Sequence, residues 1–118
     1  MDVKTDTPLW WRDMVYWNRA TDGSRQLLVN LVNPPKAEEV EENPTSELRP
    51  PVRDIMVTCA PLNGKRPKAA WLLAAEPMEP TEQPALRQIP LLMKLQPNNH
   101  VTVTVPSVIF YKLVVFQY

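Results

Sequence analysis

Polar and apolar positions alternate along this chain in short runs, and the run nearest the C-terminal end is the clearest. His100-Val101-Thr102-Val103-Thr104-Val105 switches character at every residue. That period of two puts Val101, Val103 and Val105 on one face of a strand and His100, Thr102 and Thr104 on the other. Pro106 closes the run, and residues 108–116 predict a further strand that is apolar on both faces. Its expected core face holds Ile109, Tyr111, Leu113 and Val115. The other face carries Phe110, Val114 and Phe116, broken only by Lys112. One core needs one oily face of a sheet, so the second predicts cover from outside, such as another domain.

The same reading runs upstream. Residues 14–19 and 26–32 flank Thr21-Asp22-Gly23-Ser24, a turn built on Asp-Gly, and together predict a β-hairpin with Leu27, Val29 and Leu31 on one face. Residues 52–60 predict a strand with Ile55, Val57 and Cys59 inward. Asn63-Gly64 marks the next turn, and residues 69–75 are apolar throughout, as in a strand covered on both sides. In residues 89–95 Ile89, Leu91, Met93 and Leu95 alternate with Pro90, Leu92 and Lys94; the proline assigns this piece to a sheet edge or a strand start. The count is about seven strands, and no segment has a helical period. The expected fold is an all-β, immunoglobulin-like antiparallel β-sandwich, with a closed barrel as the alternative.

Composition explains why the runs are short. Fourteen prolines stand against two glycines, and proline is barred from helix interiors and central strands. Five prolines and five glutamates crowd residues 33–51, which predicts a long surface loop; a helical turn over 37–42 is less favoured. Residues 76–88 form a second polar, proline-rich connection. With 118 residues the expectation is a single β-sandwich domain spanning 1–118.

Thirteen basic residues balance thirteen acidic ones, so no general attraction for nucleic acid or an anionic membrane is expected. No apolar run approaches the ~20 residues of a membrane span, and residues 1–6 are polar, unlike a secretory leader. Cys59, the one cysteine, reads as a small buried hydrophobe. His100 is the only histidine, which excludes a histidine-rich metal site. Ser24, Ser46 and Ser107 sit outside any nucleophile-elbow glycine pattern, and no phosphate-cradling glycine motif occurs. The acidic run from Glu38 to Glu42 lacks the ligand spacing of a calcium loop and reads as a solvated charge run. The chain is expected to be non-catalytic, without cofactor or metal.

Aromatic residues offer more. Trp10, Trp11, Tyr16 and Trp17 fall close together; strand geometry puts Trp11 with Trp17 on one face and Trp10 with Tyr16 on the other. Exposed, such rings stack on sugars; covered, they anchor an interface, which is the more common role. The candidate sugar or partner contacts are therefore Trp10, Trp11, Tyr16, Trp17, Phe110, Val114 and Phe116.

The order of the pieces resembles a known family. Tyr16-Trp17-Asn18-Arg19 leads into Leu27-Leu28-Val29-Asn30-Leu31-Val32-Asn33-Pro34, then Pro51-Val52-Arg53-Asp54-Ile55, then Asn63-Gly64-Lys65-Arg66-Pro67-Lys68-Ala69-Ala70-Trp71-Leu72-Leu73. Val101-Thr102-Val103-Thr104-Val105-Pro106 and Tyr111-Lys112-Leu113-Val114-Val115 complete the series. Over most of residues 14–118 this is similar to the accessory β-sandwich at the C-terminal end of bacterial glycoside hydrolases, of the dextranase and cycloisomaltooligosaccharide glucanotransferase type or a β-galactosidase-like relative. The resemblance implies a non-catalytic domain that packs against and stabilises a catalytic barrel, and an extracellular or periplasmic setting if the parent hydrolase is secreted. It carries over no catalytic residue. The alternatives are a carbohydrate-binding module that contacts polysaccharide through exposed tryptophans, and a protein-interaction or adhesion domain. A homodimer through the exposed apolar face belongs to the same set of expectations.

Overall fold

Nine strands, paired antiparallel throughout, form two stacked sheets in the computed structural model, which describes residues 1–34, 50–75 and 86–118. In chain order they are β1 (Asp2–Lys4), β2 (Val15–Arg19), β3 (Arg25–Val32), β4 (Val52–Cys59), β5 (Ala69–Ala74), β6 (Arg87–Pro90), β7 (Lys94–Leu95), β8 (Val101–Val108) and β9 (Tyr111–Gln117). One sheet has the order β1-β4-β8-β7 and the other β2-β3-β9-β5-β6. This is the all-β sandwich the alternation predicts. The count exceeds seven for two reasons: Asp2–Lys4 adds a short edge strand, and residues 89–95 split into β6 in one sheet and β7 in the other. Most of the expected loop at 33–51, the turn over 37–42, the glutamates of 38–42, Ser46 and much of the connection at 76–88 lie outside the described residues.

Turn chemistry fixes two of the chain reversals. Asn63 and Gly64 both take positive φ, and Leu62 and Lys65 exchange backbone hydrogen bonds of 2.9 and 3.0 Å around them, the geometry a two-residue Asn-Gly hairpin requires. At the β2–β3 turn Gly23 has φ +88°, and the Asp22 carboxylate accepts from the Ser24 amide and hydroxyl. Those two donors hold the Asp22 carboxyl below its ordinary pKa.

The core lies between the sheets and is largely valine. Val57, Val103 and Val105 from one sheet meet Val29, Leu31, Leu72, Val114 and Phe116 from the other. Ile55, Val57 and Cys59 point inward as expected, and Val101, Val103 and Val105 face them in register. Val52 and Val108, also paired, have the opposite parity yet join the same core. The phase changes at Asp54, whose φ of +54° bends the strand opposite Pro106. Pro106 therefore does not end its strand: β8 runs on to Val108, and Ile109 and Phe110 make the corner into β9.

The last strand corrects one expectation. Val114 and Phe116 are fully buried in the core, paired with Val29 and Leu27, and are not on a spare face. Tyr111, Leu113 and Val115 take the outside instead. Lys112 caused the misreading. Its side chain is wholly buried and its Nζ donates to the Ser107 carbonyl at 2.5 Å, so the lysine belongs to the inner row. The stem packs as an aliphatic chain while the amine reaches back over the β8–β9 corner. Asn33 ties the same corner together: its backbone amide donates to Phe110 O at 2.8 Å, and its Nδ2 to Ile109 O at 3.0 Å and Pro50 O at 3.1 Å.

Candidate docking face

Register places each outward side chain of the five-stranded sheet. Paired residues in an antiparallel ladder point to the same side, so the inward set of Leu27, Val29, Val114, Phe116, Ala70 and Leu72 fixes the outward set. One row crosses all five strands: Tyr16, Leu28, Val115, Trp71 and Pro90. The row on one side of it reads Asn30, Leu113, Leu73 and Gln88, and the row on the other Asn18, Gln26, Gln117 and Ala69. A fourth row holds Trp10, Val32 and Tyr111, since Trp10 bridges Val32 outside the named strands.

No side chain in these four rows carries a charge, although charged residues make up 22% of the chain. Trp10, Tyr16 and Tyr111 sit towards the margins, and Leu28, Leu113, Val115 and Trp71 towards the middle. Trp10 is 59% exposed, Tyr16 55% and Tyr111 44%. Val115 is buried without belonging to the core cluster, because it lies in the centre of this outer face. The carboxamides are oriented: Asn18 Nδ2 donates to Gln26 Oε1 at 3.1 Å, and Asn30 Oδ1 accepts from the Tyr111 hydroxyl at 2.5 Å while its Nδ2 donates to Met14 O. Burial pushes the Tyr111 phenol above its ordinary pKa.

The candidate residues thus divide. Trp10 and Tyr16 lie on the outer face. Trp11 is partly buried against the core. Trp17 sits at the β2 edge on the inner side, with the Arg25 guanidinium 4.7 Å from its ring centre and the Tyr118 ring at 5.6 Å. Phe110 is exposed at the β8–β9 corner, and Val114 and Phe116 belong to the core. Sequence reasoning did not single out Leu28, Trp71, Leu113, Val115 and Tyr111 as one surface. The signal was the parity of the last strand, which the lysine reversed.

The outer face of the four-stranded sheet is of another kind. Asp2, Lys4, Thr58 and Thr102 line a shallow groove of about 380 Å³ with Met56, His100 and the Gln96–Asn98 turn. Thr58 and Thr102 share a hydroxyl hydrogen bond of 2.7 Å, and His100 Nδ1 lies 3.2 Å from Asn98 O. A second open groove of about 560 Å³ runs below Lys65 and Arg66, over Met93, Leu95 and Val101. Among the described residues no group of three or more His, Cys, Asp or Glu side chains is arranged to hold a metal ion, and no helix is long and apolar enough to cross a membrane. Cys59 is fully buried, and desolvation pushes its thiol above the ordinary pKa. No family model matches the chain, and no curated protein matches it.

Proposed function

We propose that this chain is a non-catalytic accessory β-sandwich that docks through the outer face of its five-stranded sheet onto a larger, carbohydrate-active enzyme. The observation that carries the docking is the charge-free surface around the row Tyr16, Leu28, Val115, Trp71 and Pro90. A charge-free face that carries exposed aromatic rings, here Trp10, Tyr16 and Tyr111, suits a contact surface. Size favours a neighbour within one assembly. Five strands about 4.8 Å apart and four rows about 6.7 Å apart span roughly 500 Å². Counted on both partners, that matches contacts between domains of about 600–1,500 Å². It falls short of the roughly 1,600 Å² of a free-standing complex. The carbohydrate setting rests on the resemblance in the order of the strands.

In an immunoglobulin-type sandwich A, B, E and D make one sheet and C, F and G the other. β1, β4, β8 and β7 occupy the first four places in order, and β4 to β9 follow the sequence B, C, C′, D, E, F. The place of G is filled by β3, which comes from the other end of the chain. This supports an immunoglobulin-like sandwich whose last strand has been replaced by the β2–β3 hairpin.

One observation favours a second reading, a carbohydrate-binding module: aromatic rings and oriented carboxamides without charge suit a neutral polyol. Titration with soluble α-glucan, β-glucan and galactan separates the two. The accessory reading expects no saturable binding at millimolar sugar, and a coding frame that joins this sandwich to a domain with the paired carboxylates of glycoside hydrolysis. Saturable binding lost on Trp10→Ala or Trp71→Ala overturns it in favour of the module.

A further inference from the structure

Among the described residues, three of the four edges of the two sheets are blunted and one is not. β1 has three residues, two of them the charged Asp2 and Lys4; β7 has two, one of them Lys94; β6 ends in Pro90. Shortness, lysine and proline are the usual devices that stop strands from pairing with strangers. β2 has none of them. Its five residues Val15–Arg19 include no proline or lysine, and Tyr16 to Arg19 are all exposed.

The hydrogen-bond pattern shows which groups this edge presents. Asn30 N donates to Met14 O, and Ala20 N donates to Ser24 O, at either end of the β2–β3 ladder. Bonded and non-bonded pairs alternate in an antiparallel ladder, so Tyr16 and Asn18 turn their backbone groups toward β3. Val15, Trp17 and Arg19 turn their N–H and C=O groups toward the open side.

We infer that this edge pairs with β2 of a second copy, antiparallel about a two-fold axis through Trp17, joining two five-stranded sheets into one of ten strands. The choice of partner follows from self-complementarity. In that register Val15 meets Arg19 of the second copy, Trp17 meets its own equivalent, and the outward groups form about six backbone hydrogen bonds. Tyr16 falls opposite Asn18. Arg19, the only charged residue of the strand, faces a valine, so no like charges oppose one another. The two charge-free faces also become continuous across the join.

Sedimentation equilibrium on the intact chain up to about 1 mM tests it. The expected mass is twice 13.6 kDa at the upper end. Arg19→Pro deletes an outward N–H and leaves the β3 ladder whole, and weakens association at least tenfold with an unchanged circular dichroism spectrum. Register is tested by disulfide trapping. Cα atoms in paired positions lie about 4.5–5.5 Å apart, within reach of a disulfide. Trp17→Cys then forms a covalent dimer with itself, whereas Tyr16→Cys and Asn18→Cys cross-link when mixed and not alone. Thr104→Cys, exposed on the other sheet, is the control. A chain that stays monomeric throughout the range, association indifferent to Arg19→Pro, or cross-linking of Trp17→Cys no faster than the control would overturn the inference.

Discussion

Lys112 is the residue whose environment departs furthest from its chemistry. A wholly buried lysine amine gives up its hydration at a cost, and the bond its Nζ donates to the Ser107 carbonyl offsets part of that. Lys112→Met keeps most of the stem and sheds the amine's desolvation cost while leaving the Ser107 carbonyl without this donor, at about 1–3 kcal/mol. The two effects oppose, so its net change in urea unfolding is expected to be smaller than that of Lys112→Ala. Lys112→Ala empties the space as well and is expected to lose about 2–5 kcal/mol. An alanine variant as stable as the parent would place this side chain in solvent. Tyr118 is the second such residue. Its backbone N–H donates to Arg25 O in one sheet, and its hydroxyl donates to Ala60 O beyond the end of β4 in the other. Burial pushes its pKa up, as it does for Cys59 and Tyr111. Folded values above unfolded ones mean stability that is complete below the unfolded pKa and declines above it. Unfolding free energy should therefore hold level from pH 7 to about 8.5 and fall beyond, first through the thiol and then, near pH 10, through the phenols. Tyr118→Phe is expected to cost about 0.5–1.5 kcal/mol at neutral pH and to flatten the decline above pH 10.

At the scale of the element, β9 decides how the sandwich is assembled. Both of its faces are apolar, so periodicity identifies a strand without saying which side is inside. Leu113 and Val114 make the test. Leu113→Thr, on the outer face, should change stability by no more than about 0.5–1 kcal/mol. Val114→Thr puts a hydroxyl into the core opposite Val29 and should cost about 1–3 kcal/mol. Equal costs, or the reverse order, would restore the parity expected from sequence. The strands with one polar face were legible: Leu27, Val29 and Leu31, Ile55, Val57 and Cys59, and Val101, Val103 and Val105 are buried as their alternation requires. The turns at Asp22-Gly23 and Asn63-Gly64 were legible because positive φ restricts the residues that fit. Three features were not. Lys112 looks like a surface residue until the corner that satisfies its amine is known. Pro106 looks like a terminator, but it stands opposite Asp54, where the ladder bends. Residues 89–95 read as one strand because the same alternation continues while the chain crosses from one sheet to the other. The docking face was hidden for the first of these reasons, since the parity of β9 selects which half of its apolar residues lies outside.

For the whole molecule, the two outer surfaces differ in a way that composition averages away. Lysine, aspartate and threonine on the four-stranded sheet keep one side hydrated, while aromatics, aliphatics and carboxamides make up the other. A neutral total charge conceals that asymmetry. Aromatic and aliphatic side chains gathered on one outer face bind the amphiphilic dye 1-anilinonaphthalene-8-sulfonate, and the folded chain at pH 7 should therefore enhance its fluorescence without any denaturant. Molten states bind the same dye, so the near-ultraviolet circular dichroism of the tryptophans must remain native in the same sample. Leu28→Gln with Leu113→Gln extends the carboxamide rows into the aliphatic centre. The pair is expected to reduce dye fluorescence severalfold and to leave the unfolding midpoint nearly unchanged. Met56→Gln, on the hydrated sheet, should leave the dye signal as it was. Dye binding unaffected by the double substitution would mean that the apolar surface presented in solution lies elsewhere, with the exposed Leu92 and Leu95 near the β7 edge as the next place to look. Docking through the five-stranded sheet would then lose its physical basis, because the centre of that face would already be covered.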